Sequence, residues 1–418
     1  MNAPVQIHHS EHATLWHGDC IATMRLVPDA SIDSVVTDPP YALDFMGHEW
    51  DRMTPGEFQH WCEQWAREAL RVLKPGGYLL AFGGTRTFHR LAAGIEDAGF
   101  DIRDSIAWLY GSGFPKSLDV SKAIDRAAGA EREVVGVAGR TGAGRTAMND
   151  APGNGRARDY LQGDYFDTRP ATDAARDWEG WGTALKPAFE PIVVARKPLI
   201  GTVAANVLAH GTGALNIDAS RIGTTDETAR VRTRNAAMPG DERSESGKGA
   251  MYAPGARFES KTHDAGRWPA NVILDESQAA ELDRQSGTLT SGAWDGKRNG
   301  QKTTGILGAF ESGPEKPRSG DSGGASRFFY TAKAPQHERP KDGEGTGHPT
   351  VKPVSIMRWL VKLVTPPGGT VLEPFAGSGT TIEAALIEGF HVIAIEREAA
   401  YIPLCEQRMA RPMQGELF

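Results

Sequence analysis

This sequence predicts an α/β fold built on a mainly parallel sheet, and three observations predict it. Strand and helix patterns alternate over the first 110 residues. A strand–loop–helix–strand unit spans 370–396. Between them the chain is polar, rich in glycine and poorly periodic. Alternation of this kind builds parallel sheets, because each crossover helix carries the chain back to start the next strand in the same direction.

The elements follow in order. Ser34–Thr37 reads as a short strand ending at Asp38. Over 57–73, Phe58, Trp61, Trp65, Ala69 and Leu73 fall on one helical face. Lys74-Pro75-Gly76-Gly77 stops that helix, since neither proline nor glycine continues it well. Tyr78–Phe82 reads as a buried strand, 87–98 as a helix and Ile102–Leu109 as a strand. Residues 137–180, rich in Gly, Ala, Arg and Asp, read as a long, partly mobile surface insertion. A strand pattern returns over 186–198. Residues 221–325 are again polar, with a short apolar island at 270–274. Regularity resumes at Gly347, with an amphipathic helix over 353–364 stopped by Pro366-Pro367-Gly368-Gly369. A strand at 370–373, a helix at 380–388 and a strand at 391–396 complete the chain, half of a nucleotide-binding sheet.

Composition narrows the class. The 418 residues are 39% hydrophobic and 24% charged, ordinary for a soluble globular protein, and can bury a large core. The net charge of −7 rules out a generic polyanion binder, so any nucleic-acid site must be a local basic surface. Such charge gathers in the irregular half: Lys297–Lys341 holds nine Lys/Arg against four Asp/Glu, and Arg230, Arg232 and Arg234 alternate. That arginine run reads equally as a solvated strand face or as phosphate contacts. Cys20, Cys62 and Cys405 have no paired spacing, which argues against a zinc ribbon or disulfide framework and suits a reducing cytoplasm. Neither a signal peptide nor an apolar run long enough for a membrane span is legible.

Two motifs carry chemistry. The first, Glu373-Pro374-Phe375-Ala376-Gly377-Ser378-Gly379-Thr380-Thr381, sits where a strand turns into a helix, and its glycines let a ligand approach the backbone. No lysine follows the last glycine, so it is not a phosphate loop, and an acid ahead of it suits a cationic ligand. Glu396 ends the next strand, 19 residues after Gly377, where an acid accepts hydrogen bonds from ribose hydroxyls. Taken alone, the loop also reads as a tight turn. The second motif, Asp38-Pro39-Pro40-Tyr41, ends another strand. An exocyclic amino group is a poor nucleophile because its lone pair is delocalised into the ring. The Asp38 carboxylate and the Pro39 carbonyl can accept its two hydrogens and make the nitrogen more tetrahedral. Pro40 has no N–H to compete. Tyr41 offers a face for an extruded base, worth roughly 1–3 kcal/mol. Alone, this motif reads too as a Pro-Pro turn with a capping aspartate.

Together the motifs resemble the amino-methyltransferases of DNA, specifically the circularly permuted (beta) group in which the catalytic motif precedes the cofactor motif. Further segments match: Trp16-His17-Gly18-Asp19-Cys20, whose acid would contact the cofactor adenine; Ala188-Phe189-Glu190-Pro191-Ile192, similar to the late strand beside the base pocket; and His348-Pro349-Thr350-Val351-Lys352-Pro353, similar to the family's cofactor-side motif. The resemblance covers 14–110, about 186–200 and 326–405. It implies a Rossmann-like, S-adenosylmethionine-dependent methyltransferase sheet with one antiparallel strand. It implies a catalytic half over 1–200, a target-recognition region over 201–325 that would include Arg230, Arg232 and Arg234, and a cofactor half over 326–418. Asp38, Pro39, Pro40 and Tyr41 would be catalytic. S-adenosyl-L-methionine would lie against Asp19, Asp38, His348, Thr350, Lys352, Glu373, Phe375, Ala376, Gly377, Ser378, Gly379, Thr380, Thr381 and Glu396.

The expected activity is direct methylation of adenine N6 in double-stranded DNA after base flipping, with no metal and no covalent enzyme intermediate; no cysteine follows a proline. Cytosine N4 is the alternative, although cytosine enzymes of this group more often carry serine in place of Asp38. An RNA or protein-glutamine methyltransferase usually has Asn-Pro-Pro-Tyr and the unpermuted order. A DNA-binding protein without catalysis would not need Asp38, Tyr41, Gly377 and Gly379 intact. A monomer or homodimer, and a restriction partner, are both compatible with the sequence.

Overall fold

The computed structural model describes residues 3–43, 53–111, 117–140, 164–223, 266–290, 304–305, 308–309, 322–332 and 351–411. Ten strands form one sheet: β1 (Val5–His9), β2 (Ala13–His17), β3 (Ile32–Thr37), β4 (Leu73–Phe82), β5 (Asp101–Leu109), β6 (Phe189–Arg196), β7 (Val272–Asp275), β8 (Tyr330–Ala332), β9 (Thr370–Glu373) and β10 (His391–Glu396). Their order is β1-β2-β10-β9-β3-β4-β6-β5-β7-β8. All are parallel except β1 and β6. The predicted α/β class therefore stands. The antiparallel β6 is the late strand of the resemblance, and the edge strand β1 is a second antiparallel one.

Helices cover both faces. The helices α1 (Cys20–Met24), α2 (Pro55–Val72) and α3 (Phe88–Asp97) pack on one side; α4 (Val354–Val364), α5 (Thr380–Ile387) and α6 (Ile402–Met409) pack on the other. The pleat sorts neighbours between the two cores. Val35, Leu79 and Leu372 join Phe58, Trp65 and Leu91, whereas Val36, Leu80 and Val371 join Ile356, Leu360 and Ile382. Burial on both faces explains why these strands read as apolar runs and not as alternations.

Local chemistry sets the element ends. Thr54 and Glu57 form a reciprocal capping box at the start of α2, with Pro55 at the first helical position. The stop at 74–77 differs in detail from the sequence expectation: Leu73 is already extended, and β4 runs through Lys74–Gly77. The extra chain is absorbed by an irregular register between Ile32 and Ser34 and a left-handed Gly76 (φ 80°). Buried Asp33 then fastens this end of the sheet, accepting from Lys74 Nζ at 2.6 Å and from the Thr370 N–H at 2.8 Å.

The long connections also contribute. The apolar island at 270–274 becomes β7, paired with β5, and β8 closes that edge. Between β5 and β6 a helix (Val120–Ala127) and an antiparallel ribbon (Glu133–Arg140 with Asp164–Arg169) gather round Asp125, whose carboxylate holds Arg132, Ala171 and Thr172. Among the described residues no helix is long and apolar enough to cross a membrane.

The helices α2 and α3 approach closely at Gly94, where a β-carbon would stand 2.6 Å from the Gln59 carbonyl oxygen and 2.7 Å from Cys62 Cβ. Gly94→Ala is therefore expected to destabilise the protein by about 1–3 kcal/mol through overpacking. The check is the denaturant midpoint with an unchanged slope; an unmoved midpoint would contradict the close approach of α2 and α3.

Candidate active site

Four neighbouring strands, β2, β10, β9 and β3, end together at one edge of the sheet. Glu396 and Glu373 are the last residues of β10 and β9, Asp38 follows β3, and Asp19 lies two residues past β2. The carboxyl edge of an open parallel sheet is where its loops leave a crevice for ligands. Four acids thus gather at that edge.

The glycine loop joins β9 to α5. Gly377 and Gly379 are left-handed (φ 53° and 79°), and a β-carbon at Gly379 would press to 3.0 Å from the Cys405 Cα. Both glycines are thus required by conformation, and Gly379 by space as well. The Gly377 N–H donates to Glu396 Oε2 at 2.6 Å, and the Glu398 N–H donates to Glu396 Oε1 at 2.7 Å. From behind, the fully buried Arg408 donates to the Ser378 carbonyl at 2.8 Å and pairs with Glu383. Phe375 packs against Trp61 and Trp65, while Ala376, Ser378, Thr380 and Thr381 are buried.

Glu373 faces inward. Its carboxylate accepts from the hydroxyls of Thr37 and Thr381 and from the Phe375 N–H, which clamps the loop to the end of β3. Burial pushes Glu373 up to about 8 and Glu396 up to about 7. Among the described residues no lysine or arginine forms an ion pair with either. Asp19 caps α1, its carboxylate accepting from the Ala22 N–H at 3.0 Å.

Beside this loop lies the Asp-Pro-Pro-Tyr segment. Pro39 is buried, and Pro40 and Tyr41 are half-buried. The Tyr41 hydroxyl is 2.7 Å from Asp38 Oδ1. The tyrosine backbone is fixed by Thr87, whose hydroxyl donates to the Tyr41 carbonyl at 2.7 Å, and its ring packs tightly on Gly84, where a β-carbon would lie 3.1 Å away. Ala42, the next residue, is held at φ 53°, a strained setting of the kind that clusters at functional sites.

Lys352 enters from the other end of the sequence. Its ammonium lies 2.6 Å from Asp38 Oδ2 and 3.1 Å from Glu190 Oε2. Burial alone would favour the neutral amine, but the two carboxylates outweigh it and hold the lysine above its ordinary value. Lys352 also stands over the Phe82 ring. The structure thus brings Asp38, Tyr41 and Lys352 into one cluster, and Asp19, the glycine loop, Glu373 and Glu396 into an adjoining one. His348, Thr350, Arg230, Arg232 and Arg234 lie outside the described residues. Glu190, at the start of β6, is the member that the motifs alone did not single out; the Phe189-Glu190-Pro191 strand match was the available signal.

The chain is similar to several known methyltransferases. Type II methyltransferase M.HindIII of Haemophilus influenzae is 23% identical over 240 residues, 48% of this chain and 64% of that protein. Type II methyltransferase M.HinfI of Haemophilus influenzae is 28% identical over 110 residues, 23% of this chain and 31% of that protein. The chain therefore spans less than two thirds of either relative. Among solved structures, the cytosine-N4-specific PvuII DNA methyltransferase aligns over 97% of this chain and 89% of its own at 13% identity, with a TM-score of 0.45. The model of the DNA methylase family, the N6/N4 methyltransferases, matches residues 32–407 and so takes in Asp38, Glu190, Lys352, Gly377 and Glu396. That match spans most of the chain, and this chain belongs to the N6/N4 DNA methylase family.

Proposed function

We propose that this chain is a site-specific DNA methyltransferase that transfers a methyl group from S-adenosylmethionine to the N6 amino group of adenine. The observation that carries the reading is the adjacency of two clusters on one sheet edge: an acid–tyrosine pair 2.7 Å apart, and a glycine loop held by buried acids that pair with no cation among the described residues. The residues present suit the cofactor, which is cationic at sulfur and at its amino group; the left-handed turns at Gly377 and Gly379 shape the loop it would lie against, and Glu396 would accept from its ribose hydroxyls. The cofactor supplies an electrophilic methyl group, and the chain supplies position and charge.

In this reading Tyr41 receives the flipped base, and Asp38 with the Pro39 carbonyl accepts the amino hydrogens. The cofactor would supply the methyl group, its sulfur keeping the electron pair of the broken bond, and the Asp38 carboxylate would take the surplus proton from the nitrogen and pass it to water. The acid at position 38 favours adenine; the cytosine-N4 alternative keeps the same pocket. Residues 201–325, apart from the β7 strand they lend to the sheet, would recognise the target in double-stranded DNA, with Arg230, Arg232 and Arg234 as phosphate contacts.

Two outcomes are expected. DNA treated with the protein and S-adenosylmethionine, then digested to nucleosides, should contain N6-methyladenine; N4-methylcytosine alone would sink the adenine assignment. Asp38→Ala should lose methyl transfer by about 10²–10⁴-fold, as expected for removal of a group that contacts the reacting atom. It should still bind S-adenosylmethionine in a calorimetric titration, and activity at the wild-type level in that variant would refute the role of Asp38.

A further inference from the structure

The ammonium of Lys352 has three protons to donate. Three acceptors surround it: Asp38 Oδ2 at 2.6 Å, Glu190 Oε2 at 3.1 Å and the Tyr41 hydroxyl at 3.2 Å. All three belong to the pocket that receives the base, and none to the glycine loop. The Tyr41 hydroxyl in turn lies 3.0 Å from Glu190 Oε2 and 2.7 Å from Asp38 Oδ1, so four side chains close a ring. They come from three distant parts of the chain: the turn after β3, the start of β6 and the approach to α4. Lys352 is 8% exposed on its side chain, against 21% for Asp38 and 19% for Glu190. The ammonium is thus the hidden centre, and both carboxylates keep an open side.

We propose that Glu190 and Lys352 belong to the methyl-acceptor pocket, with Glu190 acting as a second, positioning carboxylate that orients Asp38 through the shared ammonium. The proposal rests on the methyltransferase reading above. The physical reason is charge. During transfer, positive charge moves from sulfur to the amino nitrogen beside Asp38. Lys352 by itself would oppose that movement, because it places a buried cation 2.6 Å from the acid that must welcome the charge. Glu190 offsets it: two carboxylates face one ammonium, leaving a surplus of one negative charge in a site of low polarisability. Lys352 in return keeps the two carboxylates in one place and gives Asp38 a single orientation. A lysine with its three protons committed in this way has none to spare for the cofactor, so the cofactor-side role implied by its motif is replaced by one in the acceptor pocket.

The test compares the full-length wild type with Glu190→Gln, Lys352→Met, the double variant and Glu190→Asp. DNA methylation is measured at saturating S-adenosylmethionine, and cofactor affinity by calorimetry without DNA. Each single substitution should lower kcat on the order of 10–100-fold while leaving the KM for DNA and the cofactor affinity near wild type. Because Glu190 acts through Lys352, the double variant should be no slower than the slower single variant. Glu190→Asp, which keeps the charge, should recover part of the loss, and a purely structural role predicts no such charge-dependent rescue. Independent, multiplying effects in the double variant would overturn the proposal, as would unchanged kcat in Glu190→Gln. Lys352→Met that loses cofactor affinity would overturn the reassignment of the lysine. That binding arm reads out even if the wild type proves inert on DNA, an outcome that counts against the methyltransferase reading alone.

Discussion

Burial of carboxylates at the carboxyl edge of the parallel sheet is the constraint on which the rest of the site depends. A carboxylate removed from water must find a cation or a set of donors. Glu373 and Glu396 find donors: threonine hydroxyls and the Phe375 N–H for the first, the Gly377 and Glu398 N–H groups for the second. Those bonds shape the loop between β9 and α5, so the acids act as its fasteners. Burial raises both acids even though every one of those hydrogen bonds acts to lower them.

The neighbouring acid is handled in the opposite way. Asp38 meets a true cation, Lys352, and a second acid shares that cation. The two arrangements sit side by side on adjacent strand ends; in the proposed reading one would receive the cationic cofactor and the other the charge that develops on the amino nitrogen. Their spacing is set by the sheet, since β9 pairs in register with both β3 and β10. The supports are correspondingly stiff: Arg408 behind the glycine loop, Thr87 and Gly84 around Tyr41, and the strained Ala42.

Much of this was legible in the sequence because it is local. Apolar runs bounded by Pro-Gly pairs gave β4 and β9, and helical periodicity gave α2 and α4 to within a few residues. The Asp38–Tyr41 and Glu373–Thr381 motifs are contiguous, so their chemistry could be derived before their geometry. What escaped is what pairing and distance decide. β1 is polar and short, and it is a strand because β2 offers it an edge. β7 has four residues, of which Ile273 and Leu274 are buried beside β5, and surrounding polar sequence hides it. The ion pair of Lys352 with Asp38 joins residues 314 positions apart, which no local pattern reveals. Glu190 sits in a matched strand, but only the fold turns its carboxylate toward that lysine.

The most direct measurement of this account is proton exchange on cofactor binding, taken by titration calorimetry of S-adenosylmethionine in buffers of different ionisation enthalpy. With Glu396 near 7 and Glu373 near 8 in the free protein, both retain protons at pH 6 that an incoming cation makes less favourable. Binding at neutral pH should therefore release protons to the buffer, and affinity should rise as pH increases from about 6 to 7, below the range in which the cofactor's own amino group loses its proton. Binding that exchanges no protons and is flat across that range would contradict a cation site built on buried carboxylates.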